Sequence, residues 1–131
     1  MKHMIVVSLI CIILSAGCSP INIEKGIQSI TLICNERALN EKCVDLYFDD
    51  EETINTFVEA IESAEKMKGV LDYEEEYEMI IDFENGKQRR FHLSLTTNRD
   101  YNGLLLELPD TMKGYSIPKG KANQLRDIIY P

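Results

Sequence analysis

Apolar and polar positions are arranged in three regimes along the chain. From Met4 to Leu14 every residue except Ser8 is apolar and none is charged. A short stretch of small and polar residues follows, and from Ile27 onward brief apolar runs alternate with turn residues. Ile27–Cys34 (IQSITLIC) and 43–48 (CVDLYF) are β-branched and apolar, which predicts two strands joined by the polar loop 35–42. Asp49, Asp50, Glu51 and Glu52 then open a helix, since carboxylates there cap free amides and suit the positive end of the helix dipole. Ile54, Phe57, Val58, Ile61, Ala64 and Met67 recur at helical spacing, with Gly69 placed to end the helix.

Beyond the helix the period changes to two. Tyr77, Met79, Ile81 and Phe83 place apolar residues at every odd position, as do Phe91, Leu93 and Leu95. Asn85-Gly86 marks the turn between them. Parity selects the loop: a two-residue turn would set Ile81 opposite Arg90, whereas a loop of Glu84-Asn85-Gly86 with a left-handed Gly86 keeps all odd apolar positions on one face. The opposite face, with Glu78, Asp82, Arg90 and His92, is expected to be wet. Asn102-Gly103 predicts a further turn, 104–108 and Tyr115–Ile117 two more strands, and Pro118 the entry to a last helix with Ala122, Leu125, Ile128 and Ile129 on one side. The order ββαββββα, built on hairpins, predicts an α+β fold: an antiparallel sheet of five to six strands with two helices on one face.

The N-terminal apolar stretch is too short to cross a bilayer as a helix, at about 17 Å against a hydrocarbon core of about 30 Å. A basic start at Lys2, an apolar stretch and then Ser15-Ala16-Gly17 make the secretory signal pattern. Leu14-Ser15-Ala16-Gly17-Cys18 resembles the lipobox of bacterial lipoproteins, with the leucine one position further from the cysteine than in the commonest pattern. The resemblance implies cleavage before Cys18, a diacylglyceryl group on its thiol, and a domain tethered at the extracytoplasmic face of the cell membrane. Two acyl chains hold firmly where one holds marginally. The expected organisation is a signal peptide over 1–17, a lipidated cysteine and spacer over 18–26, and one domain over 27–131.

A second resemblance covers most of 50–130. The hairpin of Tyr77, Met79, Ile81, Phe83 and Gly86, followed by Tyr115 and Ile117, resembles the YhfM-like small lipoproteins of Bacillus-type bacteria. It implies an extracytoplasmic domain of unassigned function, and no functional residues carry over from it.

Charge narrows the partners. All 22 acidic residues follow Cys18, as do all but one of the 14 basic residues, so the tethered part is strongly acidic. Such a domain is repelled by phosphate backbones and anionic lipid heads, which argues against nucleic acid as a partner. Asp72, Glu74, Glu75, Glu76 and Glu78 form the densest acidic run, a candidate partner-binding surface or simply a solvated stretch; it lacks the ligand spacing and glycine of a calcium loop. Cys34 and Cys43 are either two buried free thiols or a disulfide, which would stabilise by about 2.7 kcal/mol on the chain-entropy model. His92 is the sole histidine after Cys18, which leaves no multi-histidine metal site and weakens any serine–histidine triad. No nucleophile or phosphate-loop motif occurs, so no enzyme activity, cofactor or metal is expected. The reading is a membrane-anchored binding or accessory module for a protein or envelope component. The alternatives are a small apolar-ligand carrier with Tyr73, Tyr77, Tyr101 or Tyr115 at a pocket mouth, and a hydrolase using paired carboxylates.

Overall fold

The computed structural model describes residues 21–69 and 72–131. Along the chain come β1 (Ile27–Cys34), α1 (Glu36–Leu39), β2 (Leu46–Phe48), α2 (Glu51–Glu62), β3 (Glu65–Lys66), β4 (Tyr77–Phe83), β5 (Gln88–Ser94), β6 (Gly103–Glu107), β7 (Tyr115–Ile117) and α3 (Lys119–Ile129). The strands form one seven-stranded sheet in the order β2-β1-β4-β5-β6-β7-β3, and every neighbouring pair is antiparallel.

The central hairpin sets the register for the rest. Tyr77 lies opposite Leu93, Met79 opposite Phe91 and Ile81 opposite Arg89. The loop is Glu84-Asn85-Gly86, closed by Phe83 N–H donating to the Lys87 carbonyl, with Gly86 at φ +85°. All odd positions of β4 therefore share one face, where they meet Ile30 and Leu32 of β1, Leu93 of β5 and Leu105 of β6. A bulge between Ile27 and Ser29 lets Ile27 and Ile30, three residues apart, both turn to that face. The same core takes Ile54, Phe57, Ala60 and Ile61 of α2 and Ala122, Leu125 and Ile129 of α3, so both long helices cover one face of the sheet. Burying a side chain such as Phe57 contributes about 2 kcal/mol.

Several boundaries depart from the sequence reading. The sheet has seven strands, not five or six, and a third, one-turn helix, α1, lies within the expected loop 35–42. α2 stops at Glu62 instead of running on to Met67: Ser63 N–H caps the Glu59 carbonyl and Ser63 Oγ donates to the Ala60 carbonyl. The released segment becomes the edge strand β3, with Glu65 opposite Ser116, and Met67 N–H donates to the Gly114 carbonyl. β2 begins at Leu46, not Cys43, because the Asp45 carboxylate accepts from Cys34 N–H at 2.9 Å, where a strand partner would otherwise lie. Gly103 is the first residue of β6 rather than a turn residue, and its lack of a side chain is needed for packing: a Cβ there would lie 2.9 Å from Leu95 Cδ2.

The outer face of the sheet is not uniformly wet. Leu106, opposite His92, is wholly buried there, and Ile80 nearly so. Tyr73 reaches over this face, its ring 5.8 Å from that of His92.

Residues 21–26, read from composition as part of a spacer, are built into the domain. Ile21 is 2% exposed and belongs to the core. Ile23 N–H donates to Glu62 Oε2 at 3.1 Å, and the Gly26 carbonyl accepts from Glu84 N–H at 2.8 Å.

Candidate functional site

Cys18, the expected lipidation site, lies outside the described residues. The described chain begins three positions later, with a clamp centred on Arg89 of β5. Arg89 Nη1 donates to the Asn22 carbonyl at 2.6 Å and to Glu24 Oε1 at 2.5 Å. Its Nε and Nη2 form a fork on Glu107 of β6, at 2.6 and 2.8 Å. One guanidinium thus ties the entering chain to two central strands, in the bidentate geometry that arginine favours. The Glu24 carboxyl is held below its ordinary range, first by a backbone hydrogen bond and then by Arg89.

Beside this clamp is an open groove of about 740 Å³ between the entering chain and α2. Ile23, Ile54 and Val58 supply its apolar floor, while Asp49, Glu51 and Glu84 stand exposed on its rim. Lys25 is the one basic residue in its lining. The rim carboxylates gather because the start of α2 and the β4–β5 turn lie at the same end of the domain; α2 begins with acids for the sake of its own dipole. Asp50, between them, is spent on capping, accepting from Thr53 N–H at 2.9 Å. Periodicity marked Ile54 and Val58 as one face of a helix, but nothing in it showed that part of that face would border a groove.

The acidic run 72–78 does not converge on one point. Glu74 pairs with Arg37 at 3.3 Å and Glu75 lies 4.0 Å from His92 Nε2. Glu76 Oε1 accepts from the amides of Leu95 and Thr96 at 2.6 and 2.8 Å, and Glu78 pairs with Arg90 at 2.9 Å. Asp72 is exposed. The Asn35 side chain and amide bond the carbonyls of Glu75 and Glu76, strapping the run to the end of β1. Of these carboxylates Glu76 holds the fold through backbone amides, while the Glu74 and Glu78 pairs lie at the surface and add little.

Cys34 and Cys43 meet as a disulfide pair with their Cα atoms 6.1 Å apart, within the span such a bond needs. Nearby, Tyr77 and Tyr130 face each other with ring centroids 6.5 Å apart. Burial pushes both phenols above the ordinary tyrosine range, Tyr130 further, with the Tyr77 hydroxyl adding to the effect. The four tyrosines expected at a pocket mouth are dispersed. Tyr73 is on the outer face, Tyr77 is in the core, Tyr101 is on an exposed loop, and Tyr115 packs against the core from β7.

The sequence reading missed Arg126. It is 2% exposed, yet its guanidinium meets no carboxylate at bonding distance. Nε donates to the Thr96 carbonyl at 2.9 Å, Nη2 to those of Leu95 and Tyr101, and Nη1 to Asn123 Oδ1 at 2.7 Å. Its pKa is lowered by burial and then by Arg99. Among the described residues no group of three histidine, cysteine or acidic side chains is arranged to hold a metal ion, and no helix is long and apolar enough to cross a membrane.

Residues 25–131 match the family described as YhfM protein. No curated protein and no solved structure matches the chain.

Proposed function

The chain belongs to the YhfM family, and from that premise we propose that it is a lipid-anchored, extracytoplasmic domain that acts by binding a protein or envelope component. The observation that supports this most is the burial of Ile21, only three residues after Cys18. Three residues reach at most about 10 Å, so acylation of Cys18 would hold the folded domain against the bilayer surface. The Arg89 clamp suits that task, because it fixes the entering chain to the centre of the sheet. The disulfide belongs to the same reading, since an exported domain meets an oxidising compartment in which Cys34 and Cys43 can pair. Metabolic labelling with palmitate tests the anchor. Cys18→Ser is expected to abolish label and accumulate the unprocessed chain; label retained in that variant would exclude the proposed site.

A further inference from the structure

The geometry points to the groove beside the Arg89 clamp as the partner site, with a cationic peptide segment carrying an aliphatic side chain as its occupant. This rests on the reading that the domain works by binding, and narrows it to one surface and one chemistry.

Size, lining and charge agree. A volume of about 740 Å³ lies within the range of roughly 300–1,000 Å³ typical of ligand sites. Ile23 and Val58, both half-buried, form with the edge of buried Ile54 an aliphatic floor that accepts a branched side chain. Asp49, Glu51 and Glu84 surround it with exposed carboxylates, and Lys25 is the one basic residue in the lining. An anionic lipid head is repelled by this rim. A second copy is disfavoured too, because it brings the same acidic surface, 22 acidic against 13 basic residues after Cys18. A cationic segment is drawn in, and its aliphatic side chain removes the floor from water.

Position adds a further constraint. Ile23 is five residues after Cys18, a reach of at most about 18 Å. An anchored domain therefore holds the groove near the bilayer surface, and the occupant belongs to a membrane protein or to one lying on the membrane. Neither rival surface names an occupant in this way. The outer sheet face exposes Ile33 and Tyr47 beside charges of both signs, with Glu78 paired to Arg90, and in the 72–78 run Glu74 is paired to Arg37 and Glu76 to backbone amides.

The test uses the full chain in its native membrane, with a benzophenone-bearing phenylalanine analogue introduced at exposed Asn55 in the groove or, separately, at exposed Tyr47 on the outer face. Crosslinked peptides are sequenced by mass spectrometry. The expected result is a crosslink from position 55 to a segment with net positive charge and an aliphatic residue. Its yield should fall about tenfold or more when Glu51→Lys and Glu84→Lys are combined, a loss of about 1.4 kcal/mol, read at a temperature where the domain stays folded despite the small cost of a cation at the start of α2. A crosslink from position 55 to a second copy or to an acidic segment, or one indifferent to the charge reversals, overturns the proposal. Crosslinking from position 47 alone overturns the groove and keeps the binding reading. Crosslinking from neither overturns both.

Discussion

Arg126 carries a full charge into the protein interior, and its guanidinium is satisfied by three backbone carbonyls and one amide oxygen. The same turn is gripped from its other side by Glu76, which takes the amides of Leu95 and Thr96. Thr96 sits at φ +55°, a conformation that costs energy for a branched residue and persists because both sides of its peptide are held. Arg126→Leu leaves those carbonyls unpaired and is expected to cost about 3 kcal/mol or more, read as a lowered urea midpoint; a loss below 1 kcal/mol on the same scale would contradict this account. The buried tyrosines set the alkaline limit. Tyr77 and Tyr130 have folded pKa values raised above the unfolded value of 10.0. Stability is then whole below that pH and is lost as pH rises, because the unfolded chain releases its phenolic protons first. Tyr130→Phe should shift the alkaline loss of stability to higher pH, and an unchanged alkaline limb would show that this phenol is not responsible. None of this was legible from residue type. The helical pattern singles out neither Arg126 nor Tyr130, and only the fold brings carbonyls to one and a second phenol to the other.

At the level of elements, legibility followed period and turn chemistry. The β4–β5 hairpin could be read down to its loop, because parity left one solution and Gly86 supplies the left-handed residue. The body of α2 was equally plain. Its end was not, since Ala64 and Met67 continue the helical spacing while Ser63 caps the chain and the free edge of β7 captures Glu65–Lys66. β1 broke strict alternation because a bulge sits between Ile27 and Ser29. The entering segment was the largest misreading. Its polar composition suggested a spacer, whereas Ile21 plugs the core and Arg89 clamps Asn22 and Glu24. Arg89→Ala keeps the Ile21 contacts and removes the clamp. It is expected to cost about 1–2 kcal/mol, discounted for the exposure of Glu24. Amide exchange should rise over 22–26 and stay unchanged in α2 and β4. Exchange that rises throughout the domain would mean that Arg89 supports the whole sheet rather than the entering chain.

For the whole molecule, the candidate site was legible in its parts and not in its assembly. The acids at the start of α2 and the acid at the β4–β5 turn are explained one by one by helix and loop chemistry. Their shared position around an aliphatic floor depends on antiparallel topology and on a segment expected to hang free. The acidic run 72–78, the most conspicuous charge feature of the chain, points in several directions: Glu76 is bonded to backbone amides, and Glu74 and Glu78 pair with arginines at the surface. Among the described residues the first buried one, Ile21, lies only three positions after Cys18, so the proposed lipid anchor would act as a fixed mounting for the domain. The intact mass and N-terminal sequence of the mature protein extracted from membranes test this most directly. The account predicts a chain that starts at Cys18 and bears a diacylglyceryl group; a chain that starts elsewhere, or one without lipid, would contradict it.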